Sequence, residues 1–376
     1  MRYFLVAGEA SGDLHASRVM KNLIKLDPEA EFRFFGGDKM SRYGGDPIVH
    51  CRLMSFMGFV NVLKNLGKIN EIRRRAEQVL ADFRPHHLIL VDYPGFNLRF
   101  AEYVKKVMPQ VVVHYYIAPK LWVWKEWRLK SIKKYVDHMY TILPFETEWF
   151  GSRGYQVEYV GNPSVDAIVS FRKRGFDASL FRKSHHLDER PIIALLAGSR
   201  MQEISSCLPL MADCAQQMPA YQFVVAAAPN IDIDTYHKIL GNAAENVSII
   251  KNVTYELLTI SDGAIVNSGT ATLEAALFRV PQVVVYKVFG GRLTMALKPF
   301  FLNTEYVSLV NIIARCEVVR ELLGHHFTVD ATLRELKRVL SVGRSEIIAG
   351  YDRVIETLGP SGAGERVAER IITSSR

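Results

Sequence analysis

Cysteine is scarce in this 376-residue chain: Cys51, Cys207, Cys214 and Cys316 are scattered and form no CxxC. That argues against a disulfide scaffold or a structural zinc site, and it fits a reducing compartment. No apolar run reaches about eighteen residues, so no ordinary membrane-spanning helix is expected. The opening MRYFLVAG runs into a Gly/Asp-rich turn instead of a small-residue cleavage site, and it reads as a first strand, not a signal peptide. Metal signatures are missing too: the eleven histidines contain no HExxH or H-x-H. The single DxD, Asp232 and Asp234 in PNIDIDTY, reads as a loop and helix cap. Ser199 and Ser268 lack the GxSxG elbow of a hydrolase nucleophile. No metal and no cofactor are expected.

What is present is a composition able to build large cores. Hydrophobic residues make up 49% and charged residues 23%, and the length suggests two domains. The net charge of +8 is unevenly spread: residues 1–185 carry 29 Lys and Arg against 19 Asp and Glu. An anionic partner is expected for that half, and charge alone leaves phosphorylated metabolite, acidic lipid and nucleic acid open.

Strand and helix patterns alternate. Strands are expected at 2–8, 32–37, 87–93, 111–117, 139–145 and 157–161, with helices between them, including 14–26 and a long amphipathic stretch over 60–83. The charged segment 169–190 breaks the rhythm. Alternation resumes at 191–200, 223–229, 247–251, 263–269 and 283–287. This is an α/β chain with two Rossmann-like domains expected to face a cleft: 1–168, an interdomain region 169–190, 191–350, and a helical tail 351–376.

The candidate chemistry sits at strand exits. GEASGD (8–13), with Ser11, Gly12 and Asp13, reads either as an anion-binding turn at a helix start or as a plain capped turn. In LVDYPGFN (90–97), Asp92 leaves a buried strand, where partial desolvation makes a carboxylate a better base; a carboxylate tied to its own turn is the alternative. LLAGSR (195–200) presents turn amides and the Arg200 fork, and NSGTATLEA (267–275) presents Ser268, Gly269, Thr270 and Glu274 at another helix start. Together these two suggest a nucleotide-diphosphate site. An apolar run with Phe56, Met57, Phe59, Val60 and Leu63 precedes Lys64, Lys68 and Arg73 to Arg75. Trp122, Trp124 and Trp127 lie among Lys120, Lys125 and Arg128. Both stretches read as a membrane or acyl-chain contact, or as helices with a buried face and a basic outer face, and the tryptophan stretch reads equally as a platform for stacking nucleobases.

In this order GEASGD, MGFVNVL, VDYPGFN, APKLWVW, ILPFE, GNP, GSR, SGTATLEA and YVSLVNII resemble the lipid-A-disaccharide synthase family, over nearly the whole chain. The resemblance implies a GT-B fold and an inverting glycosyltransferase. Its reaction would be transfer of 2,3-diacylglucosamine from UDP to the 6-hydroxyl of 2,3-diacylglucosamine 1-phosphate (lipid X), giving the β-1,6-linked disaccharide 1-phosphate and UDP. It further implies Asp92 as base, Ser11 to Asp13 facing the reaction centre, and Arg200, Glu274 and Asn311 at the UDP site. Such proteins are peripheral on the cytoplasmic face of the inner membrane, and dimers formed by exchange of C-terminal segments occur among them. Nucleic acid has no part in that reading. Ala197, Val310, Arg315 and Gly324 depart from the family pattern, and Gly324, where a glutamine is common, is withheld from the site.

Overall fold

The computed structural model describes residues 1–55, 66–287 and 304–374. Phe56, Met57, Phe59, Val60 and Leu63, the expected apolar contact, therefore lie outside the described residues. The chain divides into two compact units, Met1–Pro163 with Pro360–Arg376, and Ser164–Gly359. Residues 169–190, expected between domains, fall within the second unit, where Ala178–Ser184 is a helix capped by the Asp177 carboxylate on the Leu180 amide.

Among the described residues, the first unit contains a parallel sheet built from β1 (Arg2–Ala7), β2 (Glu31–Gly36), β3 (Val49–His50), β4 (His87–Val91), β5 (Val112–Tyr116), β6 (His138–Thr141) and β7 (Glu158–Tyr159). Their order in the sheet is β3-β2-β1-β4-β5-β6-β7. The continuous apolar run HLILV of β4 is buried throughout because helices cover both faces of a parallel sheet. Successive side chains feed opposite cores: Phe4, Val6, Leu88 and Leu90 enter one, Tyr3, Leu5, Ile89 and Val91 the other.

The first helix runs Ala10–Leu26, starting four residues before the expected Leu14, because extended Glu9 (φ −138°, ψ 162°) is its N-cap and SGD forms the first turn. It buries Ala16, Val19, Met20 and Leu23, at helical spacing, against Val367, Ala368 and Ile371 of the helix Ala363–Thr373. The chain's C-terminal helix thus completes the core of the first unit.

The second unit's sheet comprises β8 (Ile192–Leu196), β9 (Gln222–Ala227), β10 (Val247–Lys251), β11 (Ser261–Asn267), β12 (Gln282–Tyr286) and β13 (Glu321–Leu323), again parallel, in the order β10-β9-β8-β11-β12-β13. The two-residue β3, the three-residue β13 and the helix Asp38–Gly44 carry too little periodic sequence to stand out in the chain alone. In each unit the strand order reverses direction at one place, between β1 and β4 and between β8 and β11. Open α/β sheets form their ligand crevice at such switch points, beyond the strands' C-terminal ends.

Candidate active site

In the first unit, β1 delivers Gly8 and Glu9 to the switch point and β4 delivers Asp92. Asp92 and Tyr93 are both left-handed, with φ of +47° and +49°, and Tyr93 caps a helix that starts with Pro94. This double turn folds the Tyr93 ring over Gly8, where a Cβ would collide with it, so glycine is required there. Burial, and after it the charge of Glu9, pushes the Asp92 carboxyl above the ordinary aspartate range; the Tyr93 amide and Lys120 pull the other way. A half-buried carboxylate so tuned is a stronger proton acceptor than a free one.

Glu9 is the residue that motif reading overlooked. Its signal was a glutamate at a helix N-cap, where Ser, Thr, Asp or Asn is usual.

The expected reaction-centre loop is split. Ser11 is exposed, whereas Gly12 packs on Ala7 and is buried. Asp13 is 4% exposed, and its carboxylate accepts from the amides of Gly37 (2.7 Å), Lys39 (3.1 Å) and Met40 (3.0 Å). It caps the helix Asp38–Gly44, so its lone pairs are directed away from a reaction centre.

Trp122 also corrects an expectation. It is buried, its indole N–H donates to Glu146 Oε1 (3.1 Å), and Phe145 meets its ring edge-on, so it presents no face to a membrane or acyl chain. Glu146 Oε2 accepts from the Leu143 amide (3.1 Å), and burial raises the Glu146 carboxyl to about 7. Trp124 is exposed, with the Lys125 ammonium 4.0 Å from its ring centroid, and Trp127 is more exposed still.

In the second unit, β8 ends in the turn Gly198 to Arg200 and β11 in Ser268 to Thr270. Gly198 has φ +112° and faces the Glu203 side chain at a distance no Cβ tolerates. The expected free amides of this turn are occupied: Ser199 and Arg200 N–H donate to Glu203 Oε2 at 3.0 and 3.3 Å. The Arg200 guanidinium is exposed and, among the described residues, pairs with Glu203 alone, at 3.4 Å, an arrangement from which its fork can turn toward an anion.

At the other exit, the Ser268 hydroxyl donates to the Val307 carbonyl (2.8 Å), and exposed Gly269 and Thr270 lead into the helix Thr270–Leu277. Helix-start amides favour negative charge. Glu274 accepts from Tyr255 Oη (2.9 Å), and burial raises its carboxyl above the usual range.

Asn311, expected at the UDP site, is fully buried and saturated. It donates to Val319 O (2.8 Å) and Glu321 Oε1 (2.9 Å), and its oxygen accepts from the Val318 and Val319 amides (2.8 and 3.0 Å). An amide has two protons and two lone pairs, so none remains for a nucleotide. Asn311 instead steadies the segment leading into β13 and holds Glu321, which accepts from the Val307 and Ser308 amides. Gly324, just beyond β13, has φ +57°, a conformation that suits glycine better than glutamine.

Two parallel sheets, each with its own switch point, make this a two-domain α/β chain of the GT-B fold class. The UDP-GlcNAc 2-epimerase of Neisseria meningitidis, solved with UDP-GlcNAc, is similar over 99% of this chain and 100% of its own, with a TM-score of 0.71 at 14% identity. A calicheamicin glycosyltransferase gives a TM-score of 0.58 at 14% identity, over 99% of this chain and 97% of its own. These likenesses show the fold. The family described as lipid-A-disaccharide synthetase matches residues 3–356. Lipid-A-disaccharide synthases of Myxococcus xanthus (36% identical, covering 99% of this chain and 97% of the relative) and Geobacter sulfurreducens (34%, 98% and 95%) match throughout. The chain belongs to the lipid-A-disaccharide synthase family, whose members are glycosyltransferases.

Proposed function

We propose that the protein transfers 2,3-diacylglucosamine from its UDP derivative to the 6-hydroxyl of 2,3-diacylglucosamine 1-phosphate, with inversion, yielding the β-1,6-linked disaccharide 1-phosphate and UDP. The observation that carries this reading is Asp92, half-buried at the β1/β4 exit with its carboxyl pushed up by burial and by Glu9. The acceptor oxygen attacks the anomeric carbon and the bond to UDP breaks with its electron pair leaving on the diphosphate. Asp92 takes the hydroxyl proton late in that displacement, since a carboxylate cannot deprotonate a free alcohol. The first unit is assigned the acceptor and the base, with Ser11 beside them. The second unit is assigned the UDP sugar, with Arg200 and the amides after Ser268 balancing the diphosphate charge and Glu274 accepting from ribose hydroxyls.

The basic first half suits a phosphorylated lipid among anionic headgroups. Extracting acyl chains into water costs about 0.8 kcal/mol per CH₂, so work at the bilayer surface avoids most of that cost. No helix among the described residues is long and apolar enough to cross a membrane. We assign the protein to the cytoplasmic face of the inner membrane as a peripheral homodimer, with Trp124 and the 56–63 segment as its lipid contacts. The test is incubation with both lipid substrates and mass analysis for the disaccharide and UDP. Release of UDP without disaccharide would overturn the transfer reading and favour an epimerase-like reaction.

A further inference from the structure

We propose that Tyr115 and Asn97 are positioning residues for the transfer, clamping the main-chain carbonyl of Asp92 so that its carboxylate stays at the β1/β4 crevice. The inference rests on the reading of Asp92 as base.

Two consecutive non-glycine residues in the left-handed region, Asp92 and Tyr93, form an uncommon and strained turn, which persists only where the surroundings enforce it. Three hydrogen bonds do so at Asp92. Its amide donates to the Tyr116 carbonyl (2.9 Å), while its carbonyl accepts from Tyr115 Oη (2.6 Å) and from Asn97 Nδ2 (2.7 Å). The second Asn97 donor reaches the preceding carbonyl, Val91 O, at 3.3 Å. Both side chains are fully buried: Tyr115 stands on β5, next to β4, and Asn97 on the helix Pro94–Val107. The donors therefore approach one carbonyl from two separate elements. Asn97 Oδ1 meets no donor among the described residues, so the amide serves the turn and not a balanced buried network. Released from the clamp, Asp92 relaxes toward extended φ, and its Cα–Cβ bond swings away from the crevice.

The experiment compares full-length wild-type protein with Tyr115→Phe, Asn97→Ala and Asp92→Asn. For each, kcat and KM with both lipid substrates, UDP affinity, thermal midpoint and the pH profile of kcat/KM are measured. We expect Tyr115→Phe and Asn97→Ala each to lose roughly 10- to 100-fold in kcat, the effect of a small displacement of a reacting group, with UDP affinity unchanged. The acidic limb of the profile should also move to lower pH, because a relaxed carboxylate regains water. Tyr115→Phe removes one oxygen and decides the matter should Asn97→Ala fail to fold. Full activity in Tyr115→Phe and Asn97→Ala beside an inactive Asp92→Asn overturns the clamp alone. A loss that only tracks thermal midpoint, with the limb unmoved, does the same. A wild-type protein without transfer, or Asp92→Asn at full rate, overturns the base reading from which the clamp derives.

Discussion

At Asp92, burial and then the nearby Glu9 charge make ionisation of the carboxyl harder. Asp92→Asn is expected to keep UDP affinity and reduce turnover by roughly 10²–10⁴, the contribution of a positioned proton-transfer group. Glu9→Gln removes the neighbouring charge that raises the Asp92 carboxyl, so the acidic limb of kcat/KM should shift to lower pH; an unmoved limb would separate Glu9 from Asp92. In the second unit, the exposed Arg200 guanidinium pairs with Glu203. Arg200→Ala should weaken UDP binding in calorimetric titration and turnover together. Unchanged affinity would move the diphosphate to the Ser268 to Ala271 turn.

Loop 117–128, between β5 and the next helix, combines one buried tryptophan with two exposed ones. Trp122 is anchored by Glu146, whose carboxyl burial has raised from 4.5 to about 7. The unfolded chain releases this proton near 4.5 and the folded one near 7, so its stabilising contribution is complete below about pH 4.5 and is lost as pH rises through 7. The stability of Glu146→Gln relative to wild type should therefore rise between pH 4.5 and pH 8, by roughly 3 kcal/mol, read as a change in the difference between their thermal midpoints. A difference independent of pH would reject the assignment. Exposed Trp124 predicts the opposite kind of variant: Trp124→Ser should lower recovery with anionic liposomes while leaving the thermal midpoint intact. The earlier apolar segment is probed by Phe56→Ser with Phe59→Ser in the same pair of measurements, loss of folding there pointing to a buried helix face.

Across the whole molecule, the buried histidines belong to the first unit. His87 Nδ1 and His114 Nε2 lie 3.0 Å apart, the other nitrogen of His114 lies 3.0 Å from Tyr140 Oη, and His138 stacks on His114. Burial lowers His15 and His87 to about 4 and His114 well below its ordinary value. The unfolded chain then takes up these protons first, so stability is full above about pH 6.5 and falls as pH drops toward 4, by roughly 3 kcal/mol for His87. No histidine of the second unit is buried. Hydrogen-exchange protection factors, corrected for the slower intrinsic exchange at low pH, should therefore fall at β4 and β5 before β8 and β11 between pH 6.5 and 4; an equal fall in both sheets would contradict this account.

The sequence by itself determined the two-sheet architecture and the strand exits that carry the candidate site residues. Unbroken apolar runs such as HLILV and IIALL demand helices on both faces, and the Gly-rich or acidic residues after them mark the strand exits. The placement of Asp92, Ser11, Arg200 and Glu274 at or just beyond strand exits was legible because strand exit and residue type are local properties. Only the tertiary structure decided which polar groups keep free hydrogen-bonding capacity. Asp13 is consumed by amides from Gly37 to Met40, Trp122 by Glu146, Asn311 by Val318 to Glu321, and the Ser199 and Arg200 amides by Glu203. A motif shows what a side chain can bind, but a buried donor or acceptor takes the nearest partner in space. That partner is chosen by the pairing of strands and helices, which can lie more than twenty residues away along the chain, as Gly37 and Glu146 do from Asp13 and Trp122.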